Sequence, residues 1–254
     1  MRYAFAGDRD ISIKILKCLL IRGHRPLALF VVNGQNASHS EELVRLTDLE
    51  KDLVFYGKEF TYPNNLEKLK SLNLDYIFGI HFPYIIPENV LKIPKIGFLN
   101  LHPAFLPYNK GWHTPSWSIL QRTPYGATLH FMASELDKGD IIHQKQIEIL
   151  PTDTADKLYK RTLALEEEVF VEAIPMLENL KPTRDLQIKD GTSHNKKDLK
   201  KIQKINLSDK VTFQEAIDFF RALTTNDISE AAYFEIGEEK FAVQIDIKKL
   251  NNEK

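Results

Sequence analysis

The sequence lacks the cysteines that crosslink small extracellular domains. Its 254 residues include a single cysteine, Cys18, which lies in an apolar helical pattern. One cysteine cannot form an internal disulfide, so we interpret Cys18 as a reduced, buried structural residue. A chain of this length can bury a core without disulfides or metals, either as one large domain or as a main domain with a small appendage.

The sequence also lacks a long apolar run and an excess of charge. No stretch of about 18 apolar residues is present, and residues 1–7 are too short for the apolar core of a secretion signal. We therefore expect a cytoplasmic protein with no membrane partner. The formal net charge is -1, so overall charge gives no reason to expect binding to nucleic acid.

Patterns that bind metals or dinucleotides are missing too. There is no His-Glu-x-x-His and no Cys-x-x-Cys, and His130 and His143 lack metal-ligand spacing. We therefore predict no metal site and give these two histidines structural or hydrogen-bonding roles. Residues 7–10 follow the first predicted strand but are not Gly-x-Gly-x-x-Gly, so a dinucleotide site is not supported. The lysines within 196–204 are interpreted as a solvated linker or helix face rather than an RNA site.

The first half of the chain alternates between apolar strand-like runs and amphipathic helical segments. In this half, strands are predicted at 3–6, 27–32, 75–80 and 96–101, and helices at 11–22, 40–49 and 64–72. The pattern changes after residue 122, where two strands are predicted at 125–133 and 141–150 and a long helix at 154–180. Within the last helix, Pro175 predicts a kink or an early stop. Continuous apolar strands separated by helices predict an α/β fold with a doubly wound, mostly parallel sheet.

The last quarter of the chain has a different pattern. Residues 181–210 are polar and rich in lysine, and we predict a linker there. A helix is predicted at 211–223, where Thr212 and Glu215 fit a capping box, and strands at 232–236 and 240–245 alternate around a glycine as in a β-hairpin. We therefore predict a main domain over residues 1–182, followed by a linker and a small helix-plus-hairpin appendage over residues 183–254.

A polar pair interrupts the apolar strand that ends near Pro103. Asn100 and His102 are two positions apart, so they project from the same face of a strand, close to its carboxyl end. Ligands of open α/β sheets bind at that edge. A side-chain amide can stabilise an oxyanion, an imidazole can move protons near neutral pH, and a carboxylate would complete the set. Asp137 lies between the next two predicted strands, but pattern alone does not join it to His102.

Three ordered motifs resemble a known enzyme family. The segment Asn-Leu-His-Pro-Ala-Phe-Leu-Pro-Tyr-Asn-Lys-Gly at 100–111 resembles the signature of the folate-dependent formyltransferases, and Gly-Ala-Thr-Leu-His at 126–130 and Leu-Asp-Lys-Gly-Asp-Ile-Ile at 136–142 resemble two further blocks. The resemblance implies a Rossmann-like formyltransferase core in which Asn100, His102 and Asp137 are catalytic. One departure is Lys110, which stands where the family often has arginine.

The resemblance also implies which ligands are bound. The formyl donor would be 10-formyltetrahydrofolate, used as a cosubstrate. The residues implied to border it are His81, Phe82, Tyr84, Ile85, Ile86, Leu136, Lys138 and Asp140. The residues implied to contact the acceptor are Tyr108, Lys110, Gly111, Trp112, His113 and Thr114. An ordinary strand-exit loop at His81 and a core position for Trp112 remain as alternatives.

The C-terminal region distinguishes subgroups of this family. A helix and a hairpin there resemble the nucleotide-sugar N-formyltransferases, whereas methionyl-tRNA formyltransferases carry a larger RNA-binding domain and glycinamide ribonucleotide formyltransferases end sooner. We therefore predict formyl transfer to the amino group of a nucleotide-linked amino-dideoxy sugar, carried on dTDP, UDP or GDP, with a 4-amino-4,6-dideoxyhexose favoured. Another formyltransferase, such as a methionyl-tRNA formyltransferase, and a catalytically silent folate- or nucleotide-binding protein remain as alternatives.

The predicted hairpin carries more apolar residues than an isolated two-stranded ribbon can expose to water. These residues are Phe234, Ile236, Phe241, Val243 and Ile245. They need a partner surface, which is either the helix at 211–223 or a second subunit. The family resemblance favours the second subunit, and hence a homodimer.

Overall fold

The computed structural model describes residues 1–135, 137–187 and 191–250. The strands in chain order are β1 (Tyr3–Gly7), β2 (Ala28–Val31), β3 (Val54–Tyr56), β4 (Tyr76–Ile80), β5 (Gly97–His102), β6 (Lys110–Gly111), β7 (Tyr125–Phe131), β8 (Ile141–Ile147), β9 (Ser193–His194), β10 (Ala232–Ile236) and β11 (Glu239–Val243). The helices are α1 (Asp10–Ile21), α2 (Ser40–Thr47), α3 (Pro63–Ser71), α4 (Glu88–Leu91), α5 (Thr114–Gln121), α6 (Ala155–Glu178), α7 (Asp198–Ile202) and α8 (Phe213–Ala222).

These residues form two compact units, each made of several chain segments. The first unit consists of Met1–His102, Ala127–Lys145 and Glu166–Gln187. The second consists of Pro103–Gly126, Gln146–Leu165 and the described residues from 191 onward. The two units are grouped by contacts in space and not by position in the sequence. The predicted domain boundary at residue 182 stays a prediction.

A seven-stranded sheet forms the centre of the first unit, with the strand order β3-β2-β1-β4-β5-β7-β8. Neighbours from β3 to β5 are parallel, and β7 is antiparallel to β5. Strands β1, β2 and β4 are buried along their whole length, which explains their unbroken apolar sequences. The predicted α/β fold with a mostly parallel sheet is confirmed.

Aromatic side chains fill the core of this unit near the middle of the sheet. Phe78 on β4 packs against Tyr3, Tyr76 and Phe170, with ring centroids 5.1 to 5.5 Å apart. All four rings are fully buried, which removes a large apolar area from water. Residues of β4 pair in register with β5 up to Ile80 and Leu101, so the carboxyl ends of these two strands lie side by side.

Several local predictions differ from the structure. Pro175 does not end α6 early. The helix runs on to Glu178, and the amide of Asn179 donates to the Pro175 carbonyl at 3.2 Å. Cys18 is a free cysteine, as expected, but it is half-buried rather than buried. Strand β3 and helix α4 are only three and four residues long, too short for a recognisable period in the sequence.

The segment predicted as a linker contains regular structure. Strand β9 and helix α7 lie within it, and Leu199 on α7 is buried in an apolar cluster with Trp117, Leu223 and Ala232 of the second unit. One apolar side chain among many lysines gives too weak a pattern to predict such a short helix. Among the described residues, no helix is long and apolar enough to cross a membrane.

The predicted capping box and hairpin are both present in the second unit. The Thr212 hydroxyl accepts a hydrogen bond from the Glu215 amide at 3.2 Å, and Glu215 Oε2 accepts one from the Thr212 amide at 2.8 Å. Helix α8 therefore begins where its sequence indicates. Strands β10 and β11 form an antiparallel pair in which Phe234 lies opposite Phe241.

Candidate active site

The predicted polar pair lies at the carboxyl end of β5. Asn100 is half-buried and His102 is buried. The antiparallel neighbour β7 places His130 opposite Asn100 and Thr128 opposite His102. Residues that face each other across a sheet, and residues two apart on one strand, project from the same face. Four polar side chains therefore share one face of the sheet at this edge.

Asp137 completes a group of three close polar side chains. Its Oδ2 lies 3.6 Å from His102 Nε2, and its Oδ1 lies 3.5 Å from Asn100 Nδ2. The first contact is at ion-pair distance rather than hydrogen-bond distance. Because both side chains are buried, a carboxylate at this range stabilises an imidazolium more strongly than it would in water. The three residues implied by the family resemblance thus lie together.

His130 orients the Asn100 amide. Its Nδ1 lies 2.8 Å from the Phe131 carbonyl oxygen, so Nδ1 carries the proton and donates to that oxygen. Burial lowers the pKa of His130 to about 4, although the Asp137 carboxylate opposes the shift. The ring is therefore neutral near pH 7, and its Nε2 accepts a hydrogen bond from Asn100 Nδ2 at 3.1 Å.

The loop that carries Asp137 is held by close backbone contacts. Asp137 has a left-handed backbone with φ of 52°. Gln187 Nε2 donates to the Asp137 carbonyl at 2.8 Å and to the Gly139 carbonyl at 2.7 Å. A side chain at Gly139 would collide with the Phe131 carbonyl oxygen, so glycine is required there. These contacts fix the carboxylate against the strand pair.

The first group of predicted donor contacts lies directly after β4. His81 Nε2 is 2.8 Å from Glu166 Oε1. Phe82 packs on the core, Tyr84 donates a hydrogen bond through its hydroxyl, and Ile86 is buried. Ile85 differs from these neighbours because 92% of its surface is exposed. The loop thus presents one apolar side chain to solvent on an otherwise anchored backbone.

The second group lies on the Asp137 loop. Leu136 lies outside the described residues. Lys138 is exposed and pairs with Glu135, while Asp140 is half-buried with Arg184 Nη1 3.6 Å from its carboxylate. Contact of these two groups of residues with a folate stays a prediction.

The predicted acceptor contacts lie in the second unit. Lys110 and Gly111 form β6, which pairs in parallel with β9. Lys110 and Thr114 are buried, and the Thr114 hydroxyl donates to the Pro103 carbonyl at 2.6 Å. Tyr108 is half-buried.

Trp112 and His113 are the more accessible part of this segment. Trp112 is 46% exposed, and the Lys196 ammonium lies 5.0 Å from its ring centroid. His113 Nδ1 lies 3.7 Å from Glu230 Oε1. Trp112 is therefore not a core residue, and its contact with a substrate stays a prediction, as do those of the other five residues.

Sequence reasoning missed the part that His130 plays in this site. A single histidine on a strand has no pattern that marks it as functional. The signal lies in strand pairing, because an antiparallel neighbour of β5 in this register must place His130 opposite Asn100. Within the described residues, no group of three or more His, Cys, Asp or Glu side chains could hold a metal ion.

The family model described as Formyl transferase matches residues 33–174, which include Asn100, His102, His130 and Asp137. The chain belongs to the formyl transferase family. A second model, described as N-formyltransferase dimerization C-terminal domain, matches residues 198–249. The family predicted from the three sequence motifs is confirmed.

Similar proteins include enzymes that act on sugars. The chain is 28% identical over 171 residues to the dTDP-4-amino-4,6-dideoxyglucose formyltransferase of Mycobacterium bovis, covering 67% of this chain and 72% of that protein. A 4-N formyltransferase from Francisella tularensis has a similar structure, with a TM-score of 0.82 and 25% identity over 98% of this chain and 99% of that one. The formyltransferase PseJ from Anoxybacillus kamchatkensis, solved with a UDP-linked formamido sugar and tetrahydrofolate, has a TM-score of 0.58 and 25% identity, covering 80% and 89%.

The similarity to other curated relatives is partial. The match spans 60% of a methionyl-tRNA formyltransferase from Alkaliphilus oremlandii, at 27% identity over 70% of this chain. It spans 28% of the bifunctional polymyxin resistance protein ArnA from Wigglesworthia glossinidia brevipalpis, at 30% identity over 70% of this chain. The chain therefore spans less than two thirds of the length of these two relatives.

The depressed pKa of His130 predicts a loss of stability in acid. The unfolded chain binds a proton at this histidine near pH 6.5, whereas the folded protein binds it only near pH 4, so the free energy of unfolding falls as the pH drops between these values. A shift of this size corresponds to about 3 kcal/mol. Urea denaturation at several pH values should show a smaller acid loss for His130→Gln than for the unsubstituted protein.

His39→Gln is the matched control, because His39 is half-buried and its ring contacts the Ser38 hydroxyl rather than Asn100 or Asp137. It should leave the acid loss unchanged. An equal acid loss in His130→Gln and in the unsubstituted protein would contradict the neutral, buried state of His130.

Proposed function

We propose that this protein transfers a formyl group from 10-formyltetrahydrofolate to the amino group of a nucleotide-linked amino-dideoxy sugar. The observation that carries the proposal is the convergence of Asn100, His102 and Asp137 at the carboxyl end of β5, with the Asp137 carboxylate 3.5 and 3.6 Å from the other two. The match to sugar-modifying relatives favours a sugar acceptor. A 4-amino-4,6-dideoxyhexose carried on dTDP, UDP or GDP is the preferred acceptor.

Asn100, His102 and Asp137 suit formyl transfer to an amine. When bound, 10-formyltetrahydrofolate supplies an activated formyl carbon, whose bond to folate nitrogen is exchanged for a bond to the acceptor nitrogen. Asn100 donates an N–H to the formyl oxygen as it gains negative charge. One Nδ2 hydrogen of Asn100 is donated to His130. The other faces Asp137 at 3.5 Å, the limit of a hydrogen bond, so this second hydrogen is the one available to the formyl oxygen.

His102 handles the proton in this proposal. Its imidazole accepts a proton from the attacking amine and returns one to the departing folate nitrogen. The Asp137 carboxylate stabilises the imidazolium that exists between these two events.

The exposed Ile85 and its anchored loop fit an apolar face of a flat heterocyclic ring, which supports folate binding beside β4. The cytoplasmic location stays a prediction.

A panel of acceptors tests the function. Purified protein is supplied with 10-formyltetrahydrofolate and, in turn, with amino-dideoxy sugars linked to dTDP, UDP or GDP, and release of tetrahydrofolate is followed by absorbance. Release with one sugar nucleotide supports the proposal. Formylation of methionyl-tRNA instead would favour that alternative, and folate binding without turnover on any acceptor would favour a catalytically silent protein.

Substitution of the three polar residues should remove turnover but leave the fold intact. Asn100→Ala is expected to lower kcat by about 100-fold to 1000-fold, because it removes an oxyanion donor. His102→Asn should lower kcat at least as much, and Asp137→Asn should lower it because the imidazolium loses its carboxylate. The measurements are kcat, KM and circular dichroism for each variant.

His143→Asn is the matched control for these variants. His143 lies on β8, and its ring binds Glu172 rather than the catalytic group, so kcat should stay close to that of the unsubstituted enzyme. Full activity of His102→Asn would exclude the proposed proton transfer.

Trp112→Ala is expected to weaken binding of the sugar nucleotide. The half-exposed indole can stack on a base or sugar, and loss of such stacking costs on the order of 1 to 3 kcal/mol, which corresponds to about 5-fold to 150-fold in KM for the acceptor. Trp112→Phe, which keeps an aromatic face, should retain most of the affinity. Steady-state kinetics with each substrate varied in turn provide the measurement. A rise in the KM for the folate instead of the acceptor would show that the contact is wrongly assigned.

We also propose that the protein is a homodimer that uses its C-terminal region. Apolar side chains are exposed on α8 and the hairpin, including Phe213 at 90% and Ile236 at 60%. The match of residues 198–249 to a dimerization domain supports this use.

Sedimentation at micromolar concentration should give a dimer of the 29.3 kDa chain, and Phe213→Asp with Ile236→Asp should shift it toward monomer. Ile21→Asp, at an exposed apolar position on α1, should leave the dimer intact, and a monomeric unsubstituted protein would refute the proposal.

A further inference from the structure

Helix α6 carries three glutamates that each bind a histidine of the first unit. Glu166, Glu172 and Glu178 lie 2.8, 2.8 and 2.7 Å from the Nε2 atoms of their respective histidines. Their partners are His81, His143 and His24. In the second and third pairs the side chains are 20% to 47% exposed, so these are ordinary surface contacts of small energetic value. The first pair is different because it is enclosed.

Glu166 is fully buried and only half satisfied. None of its side chain is exposed, its Oε1 lies 2.8 Å from the His81 ring, and its Oε2 has no hydrogen-bond partner. Enclosing a carboxylate with an unpaired oxygen costs free energy, and an apolar pair of similar volume is often equally stable or more so. Fold stability therefore does not explain why a carboxylate occupies this position.

His81 lies at a point where the chain changes direction. It follows Ile80, which pairs with Leu101 in the β4–β5 register, so His81 comes next to the strand end that carries His102. Its φ of 51° is in the left-handed region, which is uncommon for a residue other than glycine. The contact with Glu166 holds the side chain of His81, the residue at which β4 has ended and the following loop begins.

That loop is anchored at both sides of its exposed residue. Phe82 packs against Phe30 and Phe60, with centroid separations of 6.4 and 5.8 Å. Ile86 is buried again in the same cluster, while Ile85 between them is almost fully exposed. Phe82, the first of these two anchors, follows His81 directly, so the start of the loop that carries Ile85 depends on how the chain leaves β4 at His81.

We propose that His81 and Glu166 are a positioning pair for binding of the formyl donor. The pair fixes the backbone at His81, and through it the loop that presents Ile85 to the folate. Neither residue takes part in the chemical step, so their loss affects affinity for the donor and not the rate of transfer at saturation. This inference rests on the proposed use of a folate by the loop after β4.

Direct folate binding tests the pair without knowledge of the acceptor. The dissociation constant of 5-formyltetrahydrofolate is measured by calorimetry for the unsubstituted protein and for Glu166→Gln, which keeps the shape of the side chain and removes its charge. We expect Glu166→Gln to weaken binding by about tenfold, because a loop that is no longer held in its bound conformation must be ordered when the ligand binds. Glu178→Gln, which removes the carboxylate of an exposed His–Glu pair on the same helix, should bind folate normally.

A second variant separates positioning from stability. The double substitution of His81→Leu with Glu166→Leu removes both polar groups, so the protein should resist urea about as well as the original. Its folate affinity should nevertheless fall by about as much as that of Glu166→Gln. With the amino-sugar acceptor in hand, kcat at saturating donor should remain within about twofold, while KM for the donor rises.

The possible results have distinct meanings. Normal folate affinity in folded Glu166→Gln, or in the double leucine variant if Glu166→Gln does not fold, would overturn the positioning role. An equal loss of affinity in Glu178→Gln would also overturn it, because the effect would then belong to the helix. If the unsubstituted protein itself does not bind the folate, the proposed function fails, whatever the variants do.

Discussion

The antiparallel pairing of β7 with β5 is the contact on which the candidate site depends. In a sheet that is otherwise parallel from β3 to β5, it places His130 directly opposite Asn100. Because His130 is buried and neutral, its Nε2 can only accept, and it therefore selects the amide nitrogen of Asn100 rather than the oxygen. The orientation of the Asn100 amide is thus set by the tautomer of a neighbouring histidine, which is in turn set by one backbone carbonyl.

The sequence predicts those parts of the site that depend on local geometry. Spacing by two residues is enough to place Asn100 and His102 on one face, and continuous apolar runs are enough to predict buried parallel strands. Asp137 required the order of family motifs, because a loop has no period. His130 could not be assigned without strand order, since the same histidine at an edge or in another register would face a different neighbour.

Contacts between distant segments account for most of what the sequence does not reveal. Glu166 and His81 are 85 positions apart, and Gln187 reaches back 50 positions to the Asp137 carbonyl. Each residue taken alone is typical of a helix, a strand end or a polar linker. The predicted linker illustrates the same limit: its lysines suggest full solvation, but the single apolar Leu199 is enough to seat a five-residue helix in a core cluster.

The ribbon formed by β6 and β9 has a consequence for the order in which the chain acquires structure during synthesis. The amide of Asn109, at the end of the signature segment, donates to the hydroxyl of Thr192, 83 positions later, and β6 gains its strand partner only at residues 193 and 194. A nascent chain can therefore complete the sheet strands up to β5, with Asn100 and His102 in place, while β6 still lacks its partner. The two ends of the segment with the strongest family resemblance thus acquire their strand partners at different stages of synthesis.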